Sequence, residues 1–276
     1  MGPPSRSKMK YTPRELKTNV NVSPTSPLRE VFVLTGGLLI IIIGIYLLLG
    51  LAVDLLAPRI SPEFEKQLAP LFMQSIQAEE TATASAAQVQ SLVHTMQVRC
   101  APDLPYAFTI HIQKSDLVNA LALPGGHIIV FTGLLKKVGS ENELTFVLGH
   151  EMGHYAHRDH LRGLGRAMVF MTMAAFLLGP DSEVSQLLAG GLGLTEMSFS
   201  RKQETWADEY GLAVVNCMYG HVGGAADFFE KISKEADPGV FGHYFSSHPE
   251  NNRRIAYLHD LSRQSGYKTE ECKPFP

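Results

Sequence analysis

Glu143-Leu144-Thr145-Phe146-Val147-Leu148-Gly149-His150-Glu151-Met152-Gly153-His154 decides how the rest of the chain is read. Ser140, three residues before Glu143, makes a capping-box pair that starts a helix, and Leu144, Val147, Leu148 and Met152 continue an apolar face along it. Helical residues four apart point the same way, so His150 and His154 aim both imidazoles at one place. Zinc takes imidazole nitrogen at ~2.0–2.1 Å in a tetrahedron, and this pair supplies two corners. Glu151 is turned by about one helical step from His150. It stands beside such a metal rather than on it, where a carboxylate takes a proton from water and passes it to a departing amine. The chain has 11 histidines in 276 residues. Chance yields H-E-x-x-H in about 3% of such chains, so the motif weighs heavily.

A zinc site of this kind needs a third ligand, and two candidates lie downstream. His160 stands where the extended H-E-x-x-H-x-x-G-x-x-H motif has its third histidine, but His157 occupies the position that motif gives to glycine. The run Ser200-Arg201-Lys202-Gln203-Glu204-Thr205-Trp206-Ala207-Asp208 offers a carboxylate instead, with Glu204 and Asp208 on one helical face. Glu204 is the preferred ligand, and Asp208 would orient a ligand histidine through its free N–H.

Taken together, these runs resemble the gluzincin peptidase family that includes the CAAX prenyl proteases and the HtpX-like bacterial peptidases. The resemblance covers roughly residues 100 to 260. It rests on Asn119-Ala120-Leu121-Ala122-Leu123-Pro124-Gly125-Gly126, on Glu143 to His154, on Ser200 to Asp208, and on His248-Pro249 with Arg254-Ile255. It implies that His150, His154 and Glu204 bind one zinc ion per chain, with Glu151 as general base and Asp208 beside the ligands. His248 would stabilise an oxyanion or block the open coordination place, and Arg254 would help hold the site together. The strand His127 to Phe131 would present its edge to an extended peptide, making Asn119, Ala120, Gly126, His127, Ile128 and Val130 substrate-binding residues.

Upstream, residues 1 to 30 carry Pro3, Pro4, Pro13, Pro24 and Pro27 among polar and basic residues, the composition of a disordered tail. Val31 to Val53 has no charged residue. Such a run spans about 34 Å as a helix, enough for a bilayer core. It is too long and starts too late for a signal peptide. Arg6, Lys8, Lys10, Arg14, Lys17 and Arg29 precede it. The positive-inside rule therefore puts the tail in the cytoplasm and the rest on the other side, periplasmic in a bacterium. The domains expected are a tail (1–30), a transmembrane helix (31–56) and a metallopeptidase domain (57–276).

Elsewhere Phe64, Leu68, Leu71, Phe72 and Ile76, and then Val89, Leu92, Val93 and Met96, recur at helical spacing. Residues 106 to 112 and 127 to 131 read as strands, with Pro124-Gly125-Gly126 as a turn. Residues 167 to 178 are apolar but too short to span, and with the glycine-rich run 187 to 194 suggest a hairpin over the active site or against the membrane. The fold class expected is α+β, mainly helical: a zincin-like domain with a small sheet plus one N-terminal membrane helix.

A net charge of −3 without a basic stripe argues against nucleic acid as a partner. Cys100, Cys217 and Cys272 are too few for a disulfide framework, though one pair suits an oxidising compartment. The expected partners are a protein or peptide substrate and a membrane, and the oligomeric state is not legible. The expected activity is zinc-dependent endopeptidase in envelope protein quality control. A peptide-binding chaperone that seldom cuts is the alternative, and a structural zinc domain with four closed ligands a third.

Overall fold

The computed structural model describes residues 11–12, 26–73, 84–183, 199–234, 248 and 252–274. The expected tail therefore lies mostly outside the described residues, as does the run 187 to 194. Two compact units divide the chain, residues 1–45 and 46–276. Helix α1, Pro27–Leu56, starts in the first and ends in the second, and none of its residues is buried. Its exposed side chains include Phe32, Leu34 and Ile40, and its length and apolar composition suffice to cross a membrane.

Within the second unit α2 (Pro62–Met73) and α3 (Ala84–Cys100) follow. The α3 residues Val89, Leu92, Val93 and Met96 are all buried in the main core. Three strands come next: β1 (Thr109–Gln113), β2 (Ala120–Leu123) and β3 (His127–Phe131). The expected first strand begins at 106, yet β1 begins at Thr109. The carbonyls of Tyr106 and Phe108 accept from the Gln97 and Gln90 side chains of α3 rather than from a neighbouring strand.

The sheet order is β1-β3-β2, with β1 parallel and β2 antiparallel to β3. This corrects the expectation that His127 to Phe131 offers an edge. The Pro124-Gly125-Gly126 turn, with both glycines at positive φ, folds Ala120–Leu123 back onto it. His127, Ile128 and Val130 are thus paired on both sides. The edge belongs to β2. Phe131 N donates to Asn119 O, so by antiparallel alternation the backbone groups of Ala120 and Ala122 point away from β3.

The helices that carry the chemistry are α5 (Glu141–Ala156) and α7 (Arg201–Tyr219), with α4 (Thr132–Lys137) before them and α6 (Asp159–Leu178) between them. Helices α8 (Asp227–Lys234) and α9 (Asn252–Gln264) are the last two helices among the described residues. Ser140 caps α5, accepting from Glu143 N at 3.1 Å. Ser200 and Gln203 form a full capping box on α7. A disulfide joins Cys100 at the end of α3 to Cys217 in α7, and Cys272 is a free thiol.

Helices α5 and α7 meet along a seam of small residues. A Cβ added at Gly153 would lie 2.9 Å from Ala207 Cα, and one at Gly149 would lie 3.1 Å from Gly211 Cα. Backbones that close cannot yield cheaply. Gly153→Ala is therefore expected to cost about 1–3 kcal/mol, read as a lowered midpoint in a thermal melt. A midpoint equal to wild type would mean that the two helices separate without strain.

Candidate metal centre

His150 and His154 lie one turn apart on α5, and both are buried. His150 Nδ1 faces Asp208 Oδ1 at 3.0 Å, and His154 Nδ1 faces Asp159 Oδ2 at 3.3 Å. An ionised carboxylate only accepts, so each Nδ1 carries a proton, and in the neutral tautomer that binds metal each Nε2 is left as a lone pair. The two Nε2 atoms stand 3.1 Å apart. Two acceptors cannot bond each other. They fit a shared cation, for which tetrahedral zinc would set its nitrogen ligands ~3.3 Å apart.

Glu204, in the first turn of α7, supplies the negative charge. Its carboxylate oxygens lie 3.6 Å from each Nε2. His248 Nδ1 is 3.2 Å from His150 Nε2 and 3.1 Å from Glu204 Oε1. One donor atom from each of His150, His154, Glu204 and His248 lies within 4.8 Å of the others. A set of imidazoles and one carboxylate suits zinc.

Charge balance around the centre follows from burial and pairing. Burial pushes His150 well below its usual range, keeping it neutral as a ligand must be. Burial alone would raise the Glu204 carboxyl, but the charge and hydrogen bond of His248, with the charge of Arg254, pull it down to about 2. Arg254 from α9 reaches Glu204 Oε2 at 2.7 Å and grips Asp208 at 2.8 and 2.6 Å. Its guanidinium rests over the Phe229 ring at 4.6 Å.

Glu151 is buried beside this cluster, with Oε1 3.5 Å from His248 Nε2 and in no hydrogen bond among the described residues. The Ala122 backbone, on the outer edge of β2, faces the same carboxylate and favours its charged form. Burial raises the Glu151 pKa above the usual carboxylate range, a direction that makes it a better base at neutral pH. A buried carboxylate oxygen left open next to four metal donors is costly unless it has work to do.

His160 stands apart from the donors. Arg158 takes a left-handed conformation, φ 60°, which ends α5 and lets α6 start at Asp159. His160 then turns to Glu65 of α2, with Nε2 3.0 Å from Oε2, and burial lowers it to about 3. Arg158 and the Tyr106 hydroxyl bind the same buried Glu65. The break that removes His160 brings in Asp159, which sequence reasoning missed. Asp159 is fully buried, holds His154, and accepts from Gln203 Nε2 at 2.7 Å and Arg162 at 3.0 Å. Asp159→Asn is expected to weaken zinc affinity by about 10–100-fold, measured by competition with a chelating dye. An unchanged affinity would show that the Phe199 ring, stacked on His154 at 3.8 Å, positions that ligand alone.

Of the substrate-binding residues expected, Asn119 and Ala120 lie at the β2 edge, where Asn119 Oδ1 accepts from Ala120 N at 2.9 Å. Gly126 lies in the turn, its carbonyl bonded to Thr109 N.

The model of peptidase family M48 matches residues 83–262. The chain belongs to peptidase family M48. Similar proteins include the human mitochondrial metalloendopeptidase OMA1, 28% identical over 194 residues, which cover 63% of this chain and 37% of that one. The Escherichia coli K12 metalloprotease LoiP is 31% identical over 169 residues, covering 59% and 66%. Arabidopsis thaliana mitochondrial OMA1 is 33% identical over 155 residues, covering 55% and 31%. The chain thus spans about a third of the length of the two OMA1 relatives and 66% of LoiP. The M48 match begins beyond α1.

Proposed function

We propose that this chain is a membrane-anchored zinc endopeptidase in which His150, His154 and Glu204 hold the ion and Glu151 is the general base. The observation that carries this reading is the pair of facing Nε2 atoms with the open Glu151 oxygen next to them. Bound there, zinc would act as a Lewis acid, polarising the scissile carbonyl and making a water acidic enough to attack it. Glu151 takes the proton from the attacking water and delivers it to the leaving amine nitrogen. Asp208 and Asp159 keep the imidazoles in the tautomer whose Nε2 is open, and Arg254 fixes Glu204 and Asp208 together.

An extended substrate would lie along β2, bonded to the outward backbone groups of Ala120 and Ala122. His248 stands where a substrate oxygen or a fourth ligand would go, which favours its blocking the site in a resting form. A structural zinc domain would use the same four donors, but it gives no reason for Glu151. The uncharged run Val31–Val53 of α1, the basic residues before that run and the Cys100–Cys217 disulfide support a non-cytoplasmic catalytic domain. The metalloendopeptidase and metalloprotease names of the relatives favour proteolysis over chaperoning, and removal of misfolded envelope proteins is the role proposed. The test is cleavage of an unfolded polypeptide by the full chain in liposomes: a chelator should abolish it, and one equivalent of zinc should restore it. Cleavage that survives thorough chelation would refute a metallopeptidase.

A further inference from the structure

Helix α6 carries an apolar face that hydrolysis does not use. In the sequence, 167 to 178 looks like a short isolated run, but it is the distal part of a 20-residue helix, long and apolar enough to cross a membrane. From Ala167 to Leu178 there is no charged residue. Met168, Phe170, Phe176, Leu177 and Leu178 are exposed, Phe176 by 87%. The one hydroxyl in that run, on Thr172, donates to Met168 O at 2.8 Å, so it needs no water. Helix α9, by contrast, turns Arg253, His259, Asp260 and Arg263 outward, as a helix facing water does.

The near end of α6 is tied to the end of α1. Arg166 NH2 contacts both oxygens of Asp54 at 2.7 Å. A Cβ on Gly165 would lie 2.6 Å from Val53 Cγ1, and Phe170 packs edge-on against Tyr46 at 6.5 Å. Position 165 meets 53, and 170 meets 46. The two segments therefore run antiparallel, and α6 retraces the path by which α1 leaves its uncharged stretch. Beyond Arg166, twelve residues extend ~18 Å, a little over half of the ~30 Å bilayer core. Gly179, at φ 91°, and Pro180 then stop the helix.

We propose that Ala167–Leu178 is inserted among lipid acyl chains as a half-depth helix beside the anchor, with the Asp54–Arg166 pair at the bilayer surface. Continuity with the exposed apolar surface of Tyr46–Val53 and the absence of an open polar group on the face favour lipid over protein as its cover. Asp159, which holds His154, comes seven residues before Arg166. The metal centre is thereby held about 10 Å from that surface. This inference rests on reading α1 as a membrane anchor.

The test places an environment-sensitive fluorophore on single cysteines in the full chain carrying Cys272→Ser, reconstituted in phosphatidylcholine vesicles. The cysteines are Leu177→Cys and Phe176→Cys on α6, Ile40→Cys on α1 and Val98→Cys at an exposed position of α3, each variant checked for retained peptide hydrolysis. Nitroxide attached to the lipid acyl chains should quench the probes at 176, 177 and 40 several-fold and leave the probe at 98 unchanged. Quenching at 40 but not at 176 or 177 would overturn the proposal and leave the anchor standing. Loss of quenching at 40 as well would overturn both.

Discussion

Glu151→Gln should lower the rate of peptide hydrolysis by about 100- to 10,000-fold while the purified chain keeps one zinc and its melting temperature. Glutamine has the same shape, and its amide carbonyl can still accept from the Ala122 backbone, which contacts this side chain. What it cannot do is hold a proton in transit. The carboxylate is buried, its pKa is raised, and Oε1 lies open toward the donor cluster, which places it to carry that proton. The rate and the metal content must be measured on the same preparation. A variant that loses zinc would make Glu151 a ligand, and one that cuts as fast as wild type would remove the general base from the mechanism. A structural zinc domain, or a chaperone that binds without cutting, predicts no difference between the two proteins.

Glu204→Gln should act earlier, on the metal itself. The neutral amide leaves two imidazoles and His248 to hold a dication without a negative ligand, and it deprives Arg254 of one of its two carboxylates. Zinc affinity should fall by about two orders of magnitude, a second-sphere loss being worth 10–100-fold by itself, and hydrolysis should fall with it. Added zinc stabilises only a protein that binds it. It should therefore raise the melting temperature of wild type and barely move that of the variant. Glu209, on the same helix with its carboxylate on the Tyr257 hydroxyl, is the control: Glu209→Gln should retain metal and activity. Equal zinc binding by Glu204→Gln and wild type would return the third-ligand question to the histidines.

Much of this centre is legible in the chain because it is local. Helical spacing brings His150 and His154 together, and a capping serine marks the start of each ligand helix. What is not legible depends on where the backbone breaks or folds back. On a continuous helix Asp159, five residues after His154, would face elsewhere. Only the left-handed Arg158 returns it to the imidazole, although an acid so close to the motif was a usable signal. The same break diverts His160 to Glu65, a partner 95 residues away in sequence. Strand β2 is hidden for another reason. Ala-Leu-Ala-Leu favours helix by propensity, and it is strand here because the two-glycine turn lays it on β3. The pattern therefore points to His127–Phe131 as the edge, since nothing in it tells which side the hairpin takes. In α6 the polar first turns conceal a helix longer than its apolar run.

The most direct measurement is anomalous diffraction at the zinc absorption edge from crystals of the purified chain. One peak is predicted, ~2.0–2.1 Å from Nε2 of His150 and His154 and within bonding distance of Glu204, with the Glu151 carboxylate near it but not bound. No peak there, or an ion coordinated elsewhere with Glu204 turned away, would contradict the account.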